Sequence, residues 1–262
     1  MSLKDPNVTN PAKRKRIALV IANPAVSTTT GWPVGFWWAE LTHPWWELVG
    51  AGYEVVIASP DGGALQADAY SDPGDPSGYS AHDLISRGFI ASPEHRALVE
   101  RTPALADLDL DAFDAIFLVG GQAPMYTFRH DARVKELVGG FLGAGKPAVV
   151  VCHATCVLLD ATLPDGTPVV AGRTWTGFAN SEEDVADAYV GQRIQPFRIE
   201  DEARALAGTN FVVHGAFRPH EDWEVYWARY ARFMASPVYD GECHLFVRAP
   251  DGRGAAACSL WY

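Results

Sequence analysis

The chain is short of positive charge, of sulfur and of long apolar runs. Its 21 lysines and arginines face 32 aspartates and glutamates, a formal net charge of −11. That balance argues against a surface built for nucleic acid or anionic membrane. The one basic run, Lys13-Arg14-Lys15-Arg16, leads straight into apolar sequence and reads as a solvated strand entry. No apolar segment reaches the length of a bilayer span. The first fifteen residues are polar and lack the apolar core of a secretory leader, so a cytoplasmic setting is expected. Four cysteines, at 152, 156, 243 and 258, are too few and too scattered for a disulfide framework, which fits a reducing compartment. The eight histidines show neither HExxH nor Cys/His metal spacing, so no metal and no other cofactor is expected.

What is present is a regular alternation. RIALVIAN (16–23), YEVVIASP (53–60), DAIFLVGG (114–121) and PAVVVC (147–152) are near-continuous apolar runs of strand length. Between them lie GFWWAELTHPWWELVGAG (35–52) and ARVKELVGGFLGAG (132–145), both helical in pattern. Strands without polar alternation are buried on both faces, which requires a mostly parallel sheet with helices on either side. The expected fold is a flavodoxin-like three-layer α/β/α sandwich, with its site beyond the carboxyl ends of the strands. One domain over 1–262 is expected, with a surface insertion at about 61–108 containing a short helix near 93–101. Helices are expected over 181–189 and 200–207. The segment 218–262 is atypical, with a helical pattern at 223–234 and hairpin chemistry near Asp251-Gly252.

The strand PAVVVC runs into Cys152-His153 with no glycine or polar turn before the next apolar helical stretch. Strand, cysteine, helix is the layout of a nucleophile elbow, where a sharp turn lifts one side chain above the sheet. The N–H groups of the following helix would then favour thiolate over thiol, and the His153 N–H would form half of an oxyanion hole. Position alone favours a buried structural cysteine, because a free thiol packs well.

Four segments taken together resemble the ThiJ/PfpI superfamily, which is class I glutamine amidotransferase-like in fold. VCHATCVLLDA (151–161) resembles its elbow, and DAIFLVGGQAPM (114–125) its facing strand and glycine pair. The stretches 30–63 and VVAGRTWTGFANSEE (169–183) are similar to its heat-shock chaperone/glyoxalase III branch. The resemblance implies Cys152 as nucleophile, His153 as adjacent base, and Glu40, shortly before His43-Pro44, as the carboxyl that bonds the cysteine. It implies Glu183 as the residue that orients the imidazole, with Glu182 as an immediate competitor. Gly120 and Gly121 would supply the second oxyanion donor. Ala154 and Thr155 replace the usual Gly-Pro, which would place the Ala154 methyl beside the oxyanion region.

The implied activity is that of a glutathione-independent glyoxalase (D-lactate dehydratase), turning 2-oxoaldehydes such as methylglyoxal into 2-hydroxy acids. The implied partners are a small aldehyde and a second copy of the chain. Two other readings stand beside it: a holding chaperone for unfolded clients or redox sensor using the same thiol, and a cysteine amidase or peptidase. Other signals are weaker. GFLGAGKP (140–147) resembles a phosphate loop but has Pro147 where a metal-binding hydroxyl belongs. Cys156 reads as a core residue and His43 as a packing residue. Phe36, Trp37, Trp38, Trp45 and Trp46 read mainly as core, and His220-Glu221-Asp222 as a weak rival triad.

Overall fold

The computed structural model describes residues 14–213, together with the backbone of 247–248, 254–255 and 257–258. The apolar runs form the strands β1 (Arg16–Val20), β4 (Glu54–Ala58), β5 (Ala115–Leu118) and β6 (Ala148–Val151), with two short pieces, β2 (Ala25–Val26) and β3 (Pro33–Val34), paired beside them. The last described strand, β11 (Ala257–Cys258), joins β6 in parallel, giving one all-parallel sheet of order β11-β6-β5-β1-β4. Side chains alternate between two cores, as the pleat demands. Ile17, Leu19 and Ile21 enter one and Ala18, Val20 and Ala22 the other.

The first core is closed by α1 (Trp38–Gly50), through Leu41 and Trp45, and by α2 (Leu84–Ala91) and α3 (Pro93–Glu100), through Phe89 and Val99. The second is closed by α4 (Ala132–Gly143), whose Val134, Leu137, Val138 and Phe141 are buried. Beyond β6 come β7 (Thr174–Trp175), α5 (Asn180–Val190), α6 (Ile199–Ala205) and β8 (Asn210–Phe211). Helices on both faces of a parallel sheet make this the three-layer, flavodoxin-like sandwich expected from the run of strands.

Two expectations change on contact with the structure. Residues 61–108 do more than skirt the surface. They are tied to α1 by Thr42 Oγ1 to Ser86 Oγ (2.7 Å) and His43 Nε2 to Asp83 Oδ1 (2.9 Å), and they bury Phe89 against Trp38 and Trp45. The stretch after Cys152 winds as 3₁₀ turns over Cys152–Leu159, where an α-helix was expected. There the Thr155 hydroxyl donates to the Cys152 carbonyl at 2.6 Å, competing with the backbone for an acceptor that an α-helix would use. The hairpin expected near the end is seen as β9 (Val247–Arg248) antiparallel to β10 (Gly254–Ala255). Residues 223–234 and His220-Glu221-Asp222 lie outside the described residues.

Candidate active site

Cys152 follows the last residue of β6 and has φ of +54°, the one non-glycine positive φ among the described residues. A left-handed cysteine costs about 1 kcal/mol or more, and such strain persists only where the surroundings impose it. The effect is to turn the side chain out of the strand and onto the wall of a cavity of about 190 Å³ above the sheet. Cys152 is partly exposed there, whereas Cys156 is sealed in the core with its thiol against the Pro124 carbonyl at 3.4 Å.

The sequence-predicted partners converge on this sulfur. His153 Nδ1 lies 3.5 Å from Cys152 Sγ, and its Nε2 pairs with Glu183 Oε1 at 3.0 Å. The ring is buried and stacked on Phe178, with centroids 4.0 Å apart, so its orientation is fixed. The choice between adjacent glutamates follows from the start of α5. Glu182 turns back to accept from the Ala179 N–H at 2.7 Å, which leaves Glu183, about 100° further round the helix, to face inward. Glu40, in the first turn of α1, accepts from the Gly120 N–H at 2.9 Å and hydrogen-bonds Cys152.

The glycine pair divides its work. The Gly120 N–H is taken by Glu40, and the Gly121 N–H, with that of His153, points at the cysteine sulfur. Gly120 must be glycine because a Cβ there would stand 2.6 Å from Cys152 Cβ. Gly121 has φ of +97° and equally little room, with Phe36 Cα 2.6 Å from where its Cβ would be. Ala154 is placed otherwise than expected. It is fully buried among the α4-side core residues and does not line the cavity, because the turn that projects Cys152 upward sends the next-but-one side chain down.

The electrostatics also depart from expectation. Burial, then the charge of Glu40, push the Cys152 thiol well above its ordinary value, and the Gly121 and His153 N–H groups offset only part of this. Burial likewise raises the Glu40 carboxyl to about 7. The two observations describe one shared proton: when Glu40 is protonated its repulsion vanishes and its O–H can donate to a thiolate. For His153, burial opposes the charged form, but Glu183 outweighs it and holds the imidazole above its ordinary value.

Sequence reasoning missed Asp68. It is 3% exposed, lies on the cavity wall, and accepts from the Gly35 N–H (2.8 Å) and the Gln122 N–H (2.7 Å). Burial raises it to about 7 as well. The remaining wall is largely aromatic and aliphatic. Trp37 and Tyr79 meet edge-on at 5.9 Å, and Tyr70, Tyr79 and Tyr189 pack around one another at about 6 Å. Of the five clustered aromatics near α1, Phe36, Trp38 and Trp45 are core, Trp37 lines the cavity and Trp46 is 58% exposed. Among the described residues no group of His, Cys, Asp and Glu could hold a metal ion, and no helix is long and apolar enough to cross a membrane.

A parallel α/β sandwich with a strained cysteine at a strand end, backed by an imidazole and a carboxylate, defines a nucleophile-elbow protein. The chain belongs to the DJ-1/PfpI family, whose model matches residues 35–203. It is 26% identical over 151 residues to the deglycase PYRAB04690 of Pyrococcus abyssi, covering 58% of this chain and 71% of that protein. It is also 26% identical over 188 residues to the glutathione-independent glyoxalase hsp3101 of Schizosaccharomyces pombe, covering 70% and 74%. The fold is shared with the 24 kDa rapid encystment protein of Francisella tularensis, at TM-score 0.69 and 20% identity over 93% of this chain and 92% of that one.

Proposed function

We propose that the chain is a cysteine-dependent enzyme acting on 2-oxoaldehydes, converting methylglyoxal to lactate without glutathione. The observation that carries this reading is the hydrogen bond of Cys152 to a buried carboxyl, Glu40, whose burial raises it to about 7, on the wall of a small, largely aromatic cavity. The Cys152 thiolate adds to the aldehyde carbon, and the oxyanion formed is met by the N–H groups of Gly121 and His153. Glu40 takes the proton from that carbon and returns it to the neighbouring one, which suits a carboxyl with a pKa near 7. The resulting thioester is hydrolysed by water activated by His153, held by Glu183. Purified protein should release lactate from methylglyoxal, and Cys152→Ala should release none. A silent wild type, or an active Cys152→Ala, would remove the reading.

The relatives named deglycases favour a second reading, in which the same thiolate attacks an aldehyde already added to an amine or thiol. The two separate when free methylglyoxal is removed before assay by aminoguanidine, which traps it irreversibly as a ring. Continued lactate release from a preformed lysine adduct would then favour the second.

A further inference from the structure

Asp68 is a buried carboxyl with no arginine or lysine partner among the described residues. Its two oxygens each accept one backbone N–H, from Gly35 and from Gln122, which leaves one lone pair on each oxygen unassigned by the fold. It stands on the wall of the cavity that holds Cys152 and Glu40, and its charge is felt by both Glu40 and His153. Neither the thiol nor the imidazole relay employs it. A buried carboxylate without a cation is expensive unless the site uses the proton.

Resting on the glyoxalase reading above, we propose that Asp68 is a second catalytic acid–base group, serving the substrate oxygens while Glu40 serves the carbons. As Cys152 adds to the aldehyde, the C1 oxyanion takes the proton that Glu40 shared with the thiol and becomes a hydroxyl. Glu40, now ionised, removes the proton from C1, the C1–H electrons form a C1=C2 bond, and the C2 carbonyl oxygen takes a proton from the Asp68 acid. The product is an enediol, with Glu40 protonated and Asp68 ionised. In the return step the C1 hydroxyl gives its proton to Asp68 as C1=O forms. The C1=C2 electron pair then takes the proton from Glu40 at C2. The result is a thioester bearing a 2-hydroxyl, with both carboxyls restored and no oxidant or reductant consumed. One carboxyl at the sulfur cannot do both jobs at once, because the enolisation adds a proton to oxygen in the same step that it removes one from carbon.

The test compares wild type with Asp68→Asn and Asp68→Ala. Asp68→Asn keeps the shape and one acceptor, so the rate of Cys152 alkylation by iodoacetamide should stay within about twofold of wild type and KM should barely move. Its kcat for methylglyoxal should fall at least about a hundredfold. Asp68→Ala should be slow too and should recover part of its kcat in added formate, which a purely structural clamp would not permit. A kcat for Asp68→Asn within threefold of wild type, or equal loss of alkylation and turnover without formate rescue, overturns the role. No lactate from wild type removes the glyoxalase reading itself, and this role with it.

Discussion

At the scale of single residues, the site is defined by groups kept in forms that water would not favour. Glu40 rises from its ordinary 4.5 to about 7, and Asp68 from 3.8 to about 7, each chiefly through burial. Because the folded-state values are raised, folding holds these protons where the unfolded chain has released them. Their contribution to stability is complete below about pH 4 and is lost as the pH climbs through 7. Glu40→Gln cannot ionise and should escape that loss. The stability difference between this variant and wild type should shift in the variant's favour between pH 5 and pH 8, by about 3 kcal/mol at most. Chemical denaturation at the two pH values measures it, and an unchanged difference would contradict a buried, proton-holding Glu40.

At the scale of elements, α4 shows how closely backbone contacts dictate sequence. Gly139 and Gly140 are adjacent, yet a Cβ on Gly139 would run into the Thr162 carbonyl, whereas one on Gly140 meets nothing within 4 Å. Gly139→Ala should therefore destabilise the protein by about 1–3 kcal/mol through overpacking. Gly140→Ala should stabilise it by about 0.5–1 kcal/mol through helix propensity. Melting curves that moved in the same direction would refute the packing of α4 on this loop. The strands, α1 and α4 are legible in the sequence because each has a long apolar pattern that buries against the sheet, whereas α5 is legible from its helix-forming run alone and buries only Glu183. Cys152, His153, Glu40 and Glu183 were found through resemblance of whole segments, since a lone cysteine or glutamate carries no local signature. Asp68 was not legible for a physical reason. Asp68, Asp72 and Asp75 share one polar, turn-rich stretch, and only the chain's return across Gly35 and Gln122 makes the first of them buried. The tight winding after Cys152 was likewise hidden, because it depends on one hydroxyl, that of Thr155, choosing a backbone carbonyl.

At the scale of the whole molecule, charge bears on which carbonyl compounds enter. Among the described residues the cavity is lined by Glu40, Asp68, Glu182 and Glu183 and by no lysine or arginine, on a chain of net charge −11. Phenylglyoxal, which is neutral, should be turned over with a kcat/KM at least about tenfold above that for 4-carboxyphenylglyoxal, an anionic 2-oxoaldehyde open to the same reaction, and added salt should narrow the gap. Equal values at low ionic strength would show that the acidic lining does not select. The same molecule must also hold Cys152 in its left-handed turn, and glycine would occupy that turn without strain. Breeding this protein for heat resistance alone would therefore tend to discard its sulfur early, leaving a sturdier shell with nothing to react.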